Sequence, residues 1–543
     1  MTSNLNSPRW AIDSLVVGEG SLFSHGWVAS PTEDVLELSM LVRYASGLLE
    51  TVPAQYGLNR ADVSNAFSEI SAACGFMVHA ALKHQGKIAS ISLQALLGDG
   101  SRKMWACPIP GDLAVAQNAA PVSARMPWQR LLLDGMRVPK MLVTGQWRAV
   151  WAGARSRWTW LQPKSADERE LKRLLERFGP ESVLIVDHSL GGGANLFRER
   201  LVQKHVDAGR SVAVWTFVPY LLKHELRLYF SAGEPELRRS VGWATWGLLA
   251  RSGKFTDIEF NNCVGFPRQE DMGAALTSFK SASAAKLRFF LHDYHVVCPS
   301  HFLLNDAGKF CGVPDREQCR RCLPKIQDNL ANLFVARDID LWRDRWASAL
   351  DSADEIVHFS MSTRELFSRA YPGIREEQWQ FRPHHVPLWQ GRFTYPAGRN
   401  GVRVGVVGHI GRAKGSEVVL ELARHVKRQG ADIEIVVIGT VDGVFDDLAV
   451  TATGHYKHAD LTHLINANQL HMALMPSVVP ETFSYVTHEL MQLEVPIICF
   501  DLGAQAEVVG RYAKGCVVPL SSSDQLLLSI QDFKLALENQ SLS

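Results

Sequence analysis

Two glutamates, Glu481 and Glu489, stand eight residues apart in Pro480–Leu490 (PETFSYVTHEL), between the apolar segments Leu470–Pro476 and Val495–Phe500. An apolar strand, a short loop, an amphipathic segment and a second apolar strand read as one βαβ unit, with Glu481 in the loop and Glu489 on the helix. On a helix that interval spans about 12 Å along the axis and about 80° around it, so both carboxylates would face one cleft. The separation exceeds the ~5–9.5 Å at which two carboxylates share one glycosidic bond, which argues against a hydrolytic acid/base pair. It suits the two ends of one long ligand. The backbone N–H groups of Thr482, Phe483, Ser484 and Tyr485, at the helix start, would attract phosphate. Glutamates so spaced are commonly a solvated helix face; the buried strand before these two singles them out.

Other residues carry chemistry of their own. Gly191, Gly192 and Gly193 follow the apolar run Val183–Val186 and let backbone approach a phosphate or sugar closely. A dinucleotide oxidoreductase would place a third glycine where Leu196 stands and an acid after the next strand, where Val218 and Pro219 stand, so hydride transfer is disfavoured. His292 ends the strand Leu287–Leu291, where open α/β sheets place ligands, and Asp293 beside it could orient or charge the imidazole. Cys298, Cys311, Cys319 and Cys322 include one CxxC knuckle. Four thiolates would hold a structural zinc in tetrahedral geometry; the alternative is a set of free, partly buried thiols in a long loop.

The elements that must position these groups follow from periodicity. The chain has 543 residues, 46% hydrophobic and 21% charged, with a formal net charge of +1. That is room for several soluble domains, without the charge bias that steers a protein to nucleic acid. The start, MTSNLNSPRW, lacks a signal-type apolar core, and no run of 18 apolar residues occurs, so a cytoplasmic protein is expected. In such a compartment nine cysteines are thiols or metal ligands. Residues 1–120 alternate apolar and polar positions and predict a β-sandwich. Residues 121–179 form a linker in which eight Lys/Arg between Arg125 and Lys164 meet a single acid, Asp134. Trp128, Trp147, Trp151, Trp158 and Trp160 lie among them, a mixture that suits a membrane headgroup region or a sugar, or a linker folded on its neighbours. Residues 180–395 predict a Rossmann-like domain with an insertion at 298–322. Turn-rich segments at 383–387 and 395–400 act as a hinge, and residues 396–543 predict a second Rossmann-like domain ending in a helix.

The Glu481/Glu489 pair and the loop Gly408-His409-Ile410-Gly411-Arg412-Ala413-Lys414-Gly415 resemble retaining, family-4-type glycosyltransferases of the GT-B fold. The resemblance implies two Rossmann-like domains, a nucleotide-sugar donor and no catalytic metal. By residue, it implies Glu481 on the donor sugar, Glu489 on the ribose, Lys414 on the diphosphate and the triple glycine against the donor. It further implies that the loop of Gly454 and Tyr456 lies near the base, and that His292 is the histidine near the sugar. His409 stands where that family usually has arginine, and Arg412 is the replacement. The family's tail helix returns toward the N-terminal domain. The phrases GWVASP and YGLNRADV are similar to accessory β-domains of bacterial surface-polysaccharide glycosyltransferases, which makes the sandwich a spacer or packing domain, or a glycan-binding one; the family resemblance as a whole implies a glycan or lipid-linked acceptor. A nucleotide-sugar epimerase of the same fold, or an inactive glycan-binding scaffold, are the competing expectations.

Overall fold

In a computed structural model, residues 8–107, 168–326, 337–396 and 401–541 are described, apart from scattered loop positions that include Gly191. The basic, tryptophan-rich stretch Arg125–Lys164, and with it the expected membrane or sugar contact, lies outside the described residues.

Two four-stranded antiparallel sheets open the chain. One runs β1 (Arg9–Gly18), β2 (Ser21–Ala29), β6 (Gly75–Ala81), β5 (Gln55–Leu58); the other runs β4 (Leu49–Pro53), β3 (Val35–Tyr44), β7 (Ile88–Leu97), β8 (Arg102–Ala106). Alternate residues of β3 and β7 point inward, and Leu22, Val28, Met40, Val42, Phe76 and Leu93 fill the space between the sheets. This is the expected β-sandwich. It packs on the next domain through Phe23, which joins that domain's core, and through His79, stacked on Phe217 with ring centres 6.2 Å apart.

The second unit is an eight-stranded sheet in the order β12 (Leu237–Val241), β11 (Lys223–Tyr229), β10 (Val212–Val218), β9 (Ser182–Val186), β13 (Phe255–Phe260), β14 (Lys286–Phe290), β15 (Glu355–His358), β16 (Trp379–Phe381). The six strands β10 to β16 are parallel, and β11 and β12 add an antiparallel edge. Every residue of β9 and β10 is buried, as a parallel sheet covered on both faces requires. In the helix Ile339–Ser352, Asp338 accepts the N–H groups of Asp340 and Leu341 and thereby sets its start.

The third unit is fully parallel, in the order β19 (Val450–Ala452), β18 (Ile433–Val441), β17 (Val402–Ile410), β20 (Met472–Met475), β21 (Ile497–Phe500), β22 (Gly515–Val518). Counted in chain order this is 3-2-1-4-5-6, the arrangement of a dinucleotide-binding sheet, with its topological reversal between β17 and β20. The tail helix spans Ser523–Ser541. Its Leu526, Leu527 and Ile530 are buried in the core of this same unit, against the helix Ser416–Gln429, so the expected return toward the N-terminal domain is corrected to packing at home.

Candidate active site

In the third sheet, the loops that leave β17 and β20 diverge at the reversal point and open a crevice between them. Gly415 brings them together: its φ is +90°, and a Cβ there would lie 2.0 Å from the Pro476 carbonyl oxygen. Lys414, immediately before it, is exposed and has no ion-pair partner among the described residues. Arg412 lies 3.3 Å from Glu417. His409 is carried on the end of β17 and bonds the Thr440 hydroxyl at 2.7 Å.

Glu481 follows β20. Its carbonyl accepts the N–H of Ala504 at 2.8 Å, and Gly503, at φ +62°, approaches so closely that a Cβ would lie 2.6 Å from the Glu481 nitrogen. The helix carrying Glu489 begins only at Tyr485. A single helical projection from Glu481 to Glu489 is therefore corrected: the first half of the interval is loop, because Ser484 is the extended residue that precedes the helix. The Ser484 side chain does not cap that helix, so the first backbone donors remain open, as an anion site needs.

The two glutamates meet different neighbours. Glu489 is buried and 2.9 Å from His458 Nε2, whose ring packs edge-on against Trp389. Tyr456 is close enough that burial, and then the Glu489 charge, push its phenol pKa up. Gly454 is held by its N–H to the Gly439 carbonyl. Glu481 instead lies toward the N-terminal domain, where Thr482 Oγ1 donates to the His292 carbonyl at 2.8 Å. Across the same boundary Gly193 faces the Tyr485 ring, which a Cβ on that glycine would meet at 3.5 Å, and Gly192 begins the helix Gly193–Asp207 at φ +83°. The Phe483 side chain packs on the N-terminal domain's apolar cluster.

Sequence reasoning missed the pillar between the domains. His384, in the hinge, stacks 3.8 Å from Phe359 and 5.3 Å from Tyr485, with Phe197 and Phe483 edge-on. Burial, reinforced by Arg200 and His488, pushes its pKa down to about 3, so it is a neutral aromatic at physiological pH. It stands in a Pro-flanked segment without periodicity, and nothing in the sequence marks it.

The carboxyl ends of β9, β13 and β14 hold His292 in a buried polar network. Its Nε2 is 2.7 Å from Asn261 Oδ1. The expected partner is corrected: the Asp293 carboxylate turns away, to His295 Nδ1 at 2.7 Å and Asn262 Nδ2 at 2.7 Å. Burial opposes the Asp293 charge, but His295 outweighs it and holds the carboxyl well below its usual range. Asp187, wholly buried at the end of β9, accepts from Asn195 Nδ2 at 2.8 Å and from Arg198 Nη1 at 3.2 Å.

Cys298, Cys311, Cys319 and Cys322 surround one cavity of about 230 Å³. Among the described residues, however, no group of three or more His, Cys, Asp or Glu is disposed to hold a metal ion, and all four are free. Burial raises each thiol pKa, that of Cys298 to about 12, and Cys319 Sγ receives Arg343 Nη2 at 3.6 Å. The expected structural zinc is therefore corrected to the alternative, a packed insertion of free, partly buried thiols. Its turn reaches the other domain, because a Cβ on Gly308 would lie 2.9 Å from Arg412 Nη2. No helix among the described residues is long and apolar enough to cross a membrane.

The crevice at the 3-2-1-4-5-6 reversal, faced by a second Rossmann-like sheet, is the GT-B architecture. Residues 392–540 match the family model of glycosyl transferases group 1. The C-terminal domain is a domain of that group, and the enzyme class read from the Glu481 and Lys414 motifs is the one this match gives. Among solved structures, the chain is similar to HepE of Anabaena in complex with UDP and glucose, at 16% identity over 65% of this chain and 89% of that one, TM-score 0.41. It is similar to the apo lipopolysaccharide outer core galactosyltransferase WaaB at 11% identity over 66% and 90%, TM-score 0.42. A glycosyltransferase of Rickettsia africae shares 11% identity over 66% and 88%, TM-score 0.39. No curated protein matches the chain. The family match, not these structures, carries the assignment.

Proposed function

We propose that the chain is a retaining glycosyltransferase that moves a sugar from a nucleoside-diphosphate donor to a glycan or lipid-linked acceptor in cell-surface polysaccharide synthesis, on the cytoplasmic side of the membrane. In this reading the donor lies in the crevice between β17 and β20. Lys414, Arg412 and His409 face the diphosphate together with the open amides before and after Ser484, Glu481 holds the sugar, Glu489 the ribose, and Gly454 and Tyr456 the base. His292 and the glycines at 192 and 193 meet the sugar from across the cleft, and Gly191 joins them by sequence. The observation that supports this most is the Thr482 Oγ1 bond to the His292 carbonyl, because it sets the Glu481 loop directly against the end of β14.

The chemistry follows from placement. As the glycosidic bond to the diphosphate breaks, negative charge grows on the leaving phosphate, where a lysine and a helix start are already fixed. The acceptor hydroxyl attacks the anomeric carbon from the face the diphosphate leaves, and binding in a closed cleft supplies the orientation. The test is mass spectrometry of products from UDP-, GDP- and dTDP-sugars offered with lipid-linked and free-glycan acceptors. A larger glycan with an α-configured new bond from an α-donor is expected. Epimerised nucleotide sugar without any acceptor product would give the epimerase reading instead. In parallel, a donor at 100 times its Kd should stabilise the fold by ~2.7 kcal/mol, and no stabilisation by any donor would leave only the inactive scaffold.

A further inference from the structure

The buried network around His292 contains more than the donor site requires. Either imidazole nitrogen can carry the proton of a neutral histidine, and the neighbours decide which one does. Here the decision lies with Asn261. Its Nδ2 donates to the Ala194 carbonyl at 3.0 Å, and the same amide lies by the Asp187 carboxylate, whose charged form it favours. A carbonyl and a carboxylate only accept. Turning the amide over would set oxygen against oxygen at both, so Oδ1 is the atom left facing His292. Oδ1 also only accepts, and Nε2, 2.7 Å away, must therefore carry the hydrogen.

The rest of the surroundings fix this arrangement. Asp187, Arg198 and Asn261 are all buried, and Arg198 Nη1 anchors the carboxylate at 3.2 Å, so Arg198 holds Asp187 beside the amide of Asn261, which in turn faces His292. The imidazole is walled by Phe197 at 4.9 Å and Phe359 at 4.8 Å and lies parallel to His384 at 5.5 Å. Burial foremost, then His384 and His188, hold the His292 pKa well below its usual value against the pull of Asp293. The ring is neutral at physiological pH.

We propose that Asn261 is a positioning residue that locks His292 as the Nε2–H tautomer, so that Nδ1 is a standing hydrogen-bond acceptor for a sugar hydroxyl in the cleft. The assignment of the hydroxyl rests on the glycosyl-transfer reading; the tautomer does not. A histidine that only packed the cleft would need no such chain behind it, and an aspartate in place of Asn261 would charge the ring rather than hold it neutral.

The test separates the two parts. In the full chain labelled with 15N-histidine, the His292 signals are identified by their loss in His292→Gln, and long-range 1H–15N spectra at pH 7 report the tautomer with no substrate present. The Nε2–H pattern is expected in the wild type. Asn261→Leu should relax it to a mixture and lower kcat on the order of 100-fold, the cost of a misplaced catalytic contact, with the donor KM little changed. Asn261→Asp is nearly isosteric and serves where the leucine variant does not fold. Its carboxylate should raise the pKa of His292, so that Nδ1 becomes protonated and transfer is lost at higher pH than in the wild type as the solution is acidified. A wild-type Nδ1–H pattern, or an unchanged tautomer in Asn261→Leu together with an unshifted pH profile in Asn261→Asp, overturns the proposal. The expected tautomer in a chain that transfers no sugar from any donor would uphold the lock and remove the glycosyl-transfer reading.

Discussion

The two Rossmann-like sheets each have a reversal point, and they are furnished in opposite ways. Between β17 and β20 the basic side chains His409, Arg412 and Lys414 are exposed, Lys414 stands without an ion pair among the described residues, and the donors at the start of the Tyr485 helix are uncapped. Between β9 and β13 the polar groups are buried or half-buried and spoken for, with Asp187, Asn195, Arg198, Asn261, Asn262 and Asp293 bonded to one another or to histidines. A crevice with free charge is built to receive a charged ligand, since ligand binding supplies the missing partners. A crevice whose charge is already satisfied is built to hold its own side chains still. The first accordingly suits the donor diphosphate, and the second suits the fixed imidazole opposite it.

That contrast can be broken most severely from the N-terminal side. Asp187→Ala leaves the Arg198 guanidinium buried with Glu199 and the His188 carbonyl as its remaining partners, and should destabilise the chain by about 3 kcal/mol, the lower end for a broken buried pair because those partners remain. Lys414→Ala, at the open crevice, should leave the unfolding midpoint where it is. Equal loss of stability in both variants, read from urea titrations, would mean the two crevices are not differently built.

Activity should show the reverse pattern. If Glu481 holds the sugar as proposed, Glu481→Gln keeps shape but loses that charge-assisted contact, and turnover should fall ~10–1000-fold with nucleotide affinity nearly kept. Lys414→Ala should weaken nucleoside-diphosphate binding and turnover together, because a phosphate charge is present before and during bond breaking. Wild-type transfer by a folded Glu481→Gln protein would remove the glutamate from the site; nucleotide loss equal to that of Lys414→Ala would move it to the phosphate end.

The same contrast explains what could be read from the sequence. The crevice between β17 and β20 was legible as a place because its residues are contiguous: a loop after β17 and a loop after β20 each hold several candidates within a few positions, and strand periodicity frames both. The network behind His292 was not, since Asp187, Asn195, Arg198 and Asn261 are scattered over 75 positions and are common residue types. Asp293, adjacent in sequence, was the natural partner for His292, and three-dimensional register gave that place to Asn261, just past the end of the neighbouring strand β13. His458 and His384 were equally silent, one at a helix start and one in a hinge. The edge hairpin β11–β12 escaped notice because Glu225, Arg227 and Arg238, buried or half-buried as ion pairs, interrupt the apolar pattern.

A smaller effect separates the regions by pH. Burial pushes the pKa values of His79 and His224 down to about 4, and that of His384 to about 3. All three belong to the sandwich, the N-terminal sheet or the hinge, whereas His409 at the donor crevice is exposed. In the unfolded chain such groups titrate near ~6.5, so between the two values the unfolded state binds protons that the folded state refuses. Stability is therefore present above about pH 6.5 and is lost as pH falls, by up to about 1.4 kcal/mol per pH unit for each histidine. His224→Phe should flatten the fall between pH 7 and 5. A pH slope equal to that of the wild-type chain would show that burial of His224 does not set the response.

The smallest effect lies where the two regions touch. Glu507, on the C-terminal helix Gly503–Val509, accepts the backbone N–H of Met361 at 3.1 Å and that of Ser362 as well. These are the first donors of the N-terminal domain's helix Met361–Ala370, whose own cap, Ser360, serves only Thr363. A carboxylate of one domain thus caps a helix of the other and adds its charge to the positive end of that helix. Removing a cap costs typically ~1 kcal/mol. Here the cost falls on domain closure rather than on either fold, since each helix keeps its own core contacts. Glu507→Ala should therefore leave thermal unfolding nearly unchanged while increasing the radius of gyration in small-angle scattering, and should raise the donor KM about fivefold, the ratio to which ~1 kcal/mol corresponds. Glu507→Gln, which still offers one acceptor oxygen, should fall between the two. A Glu507→Ala chain with wild-type scattering and wild-type KM would show that the cleft is held shut by the aromatic packing around His384 alone.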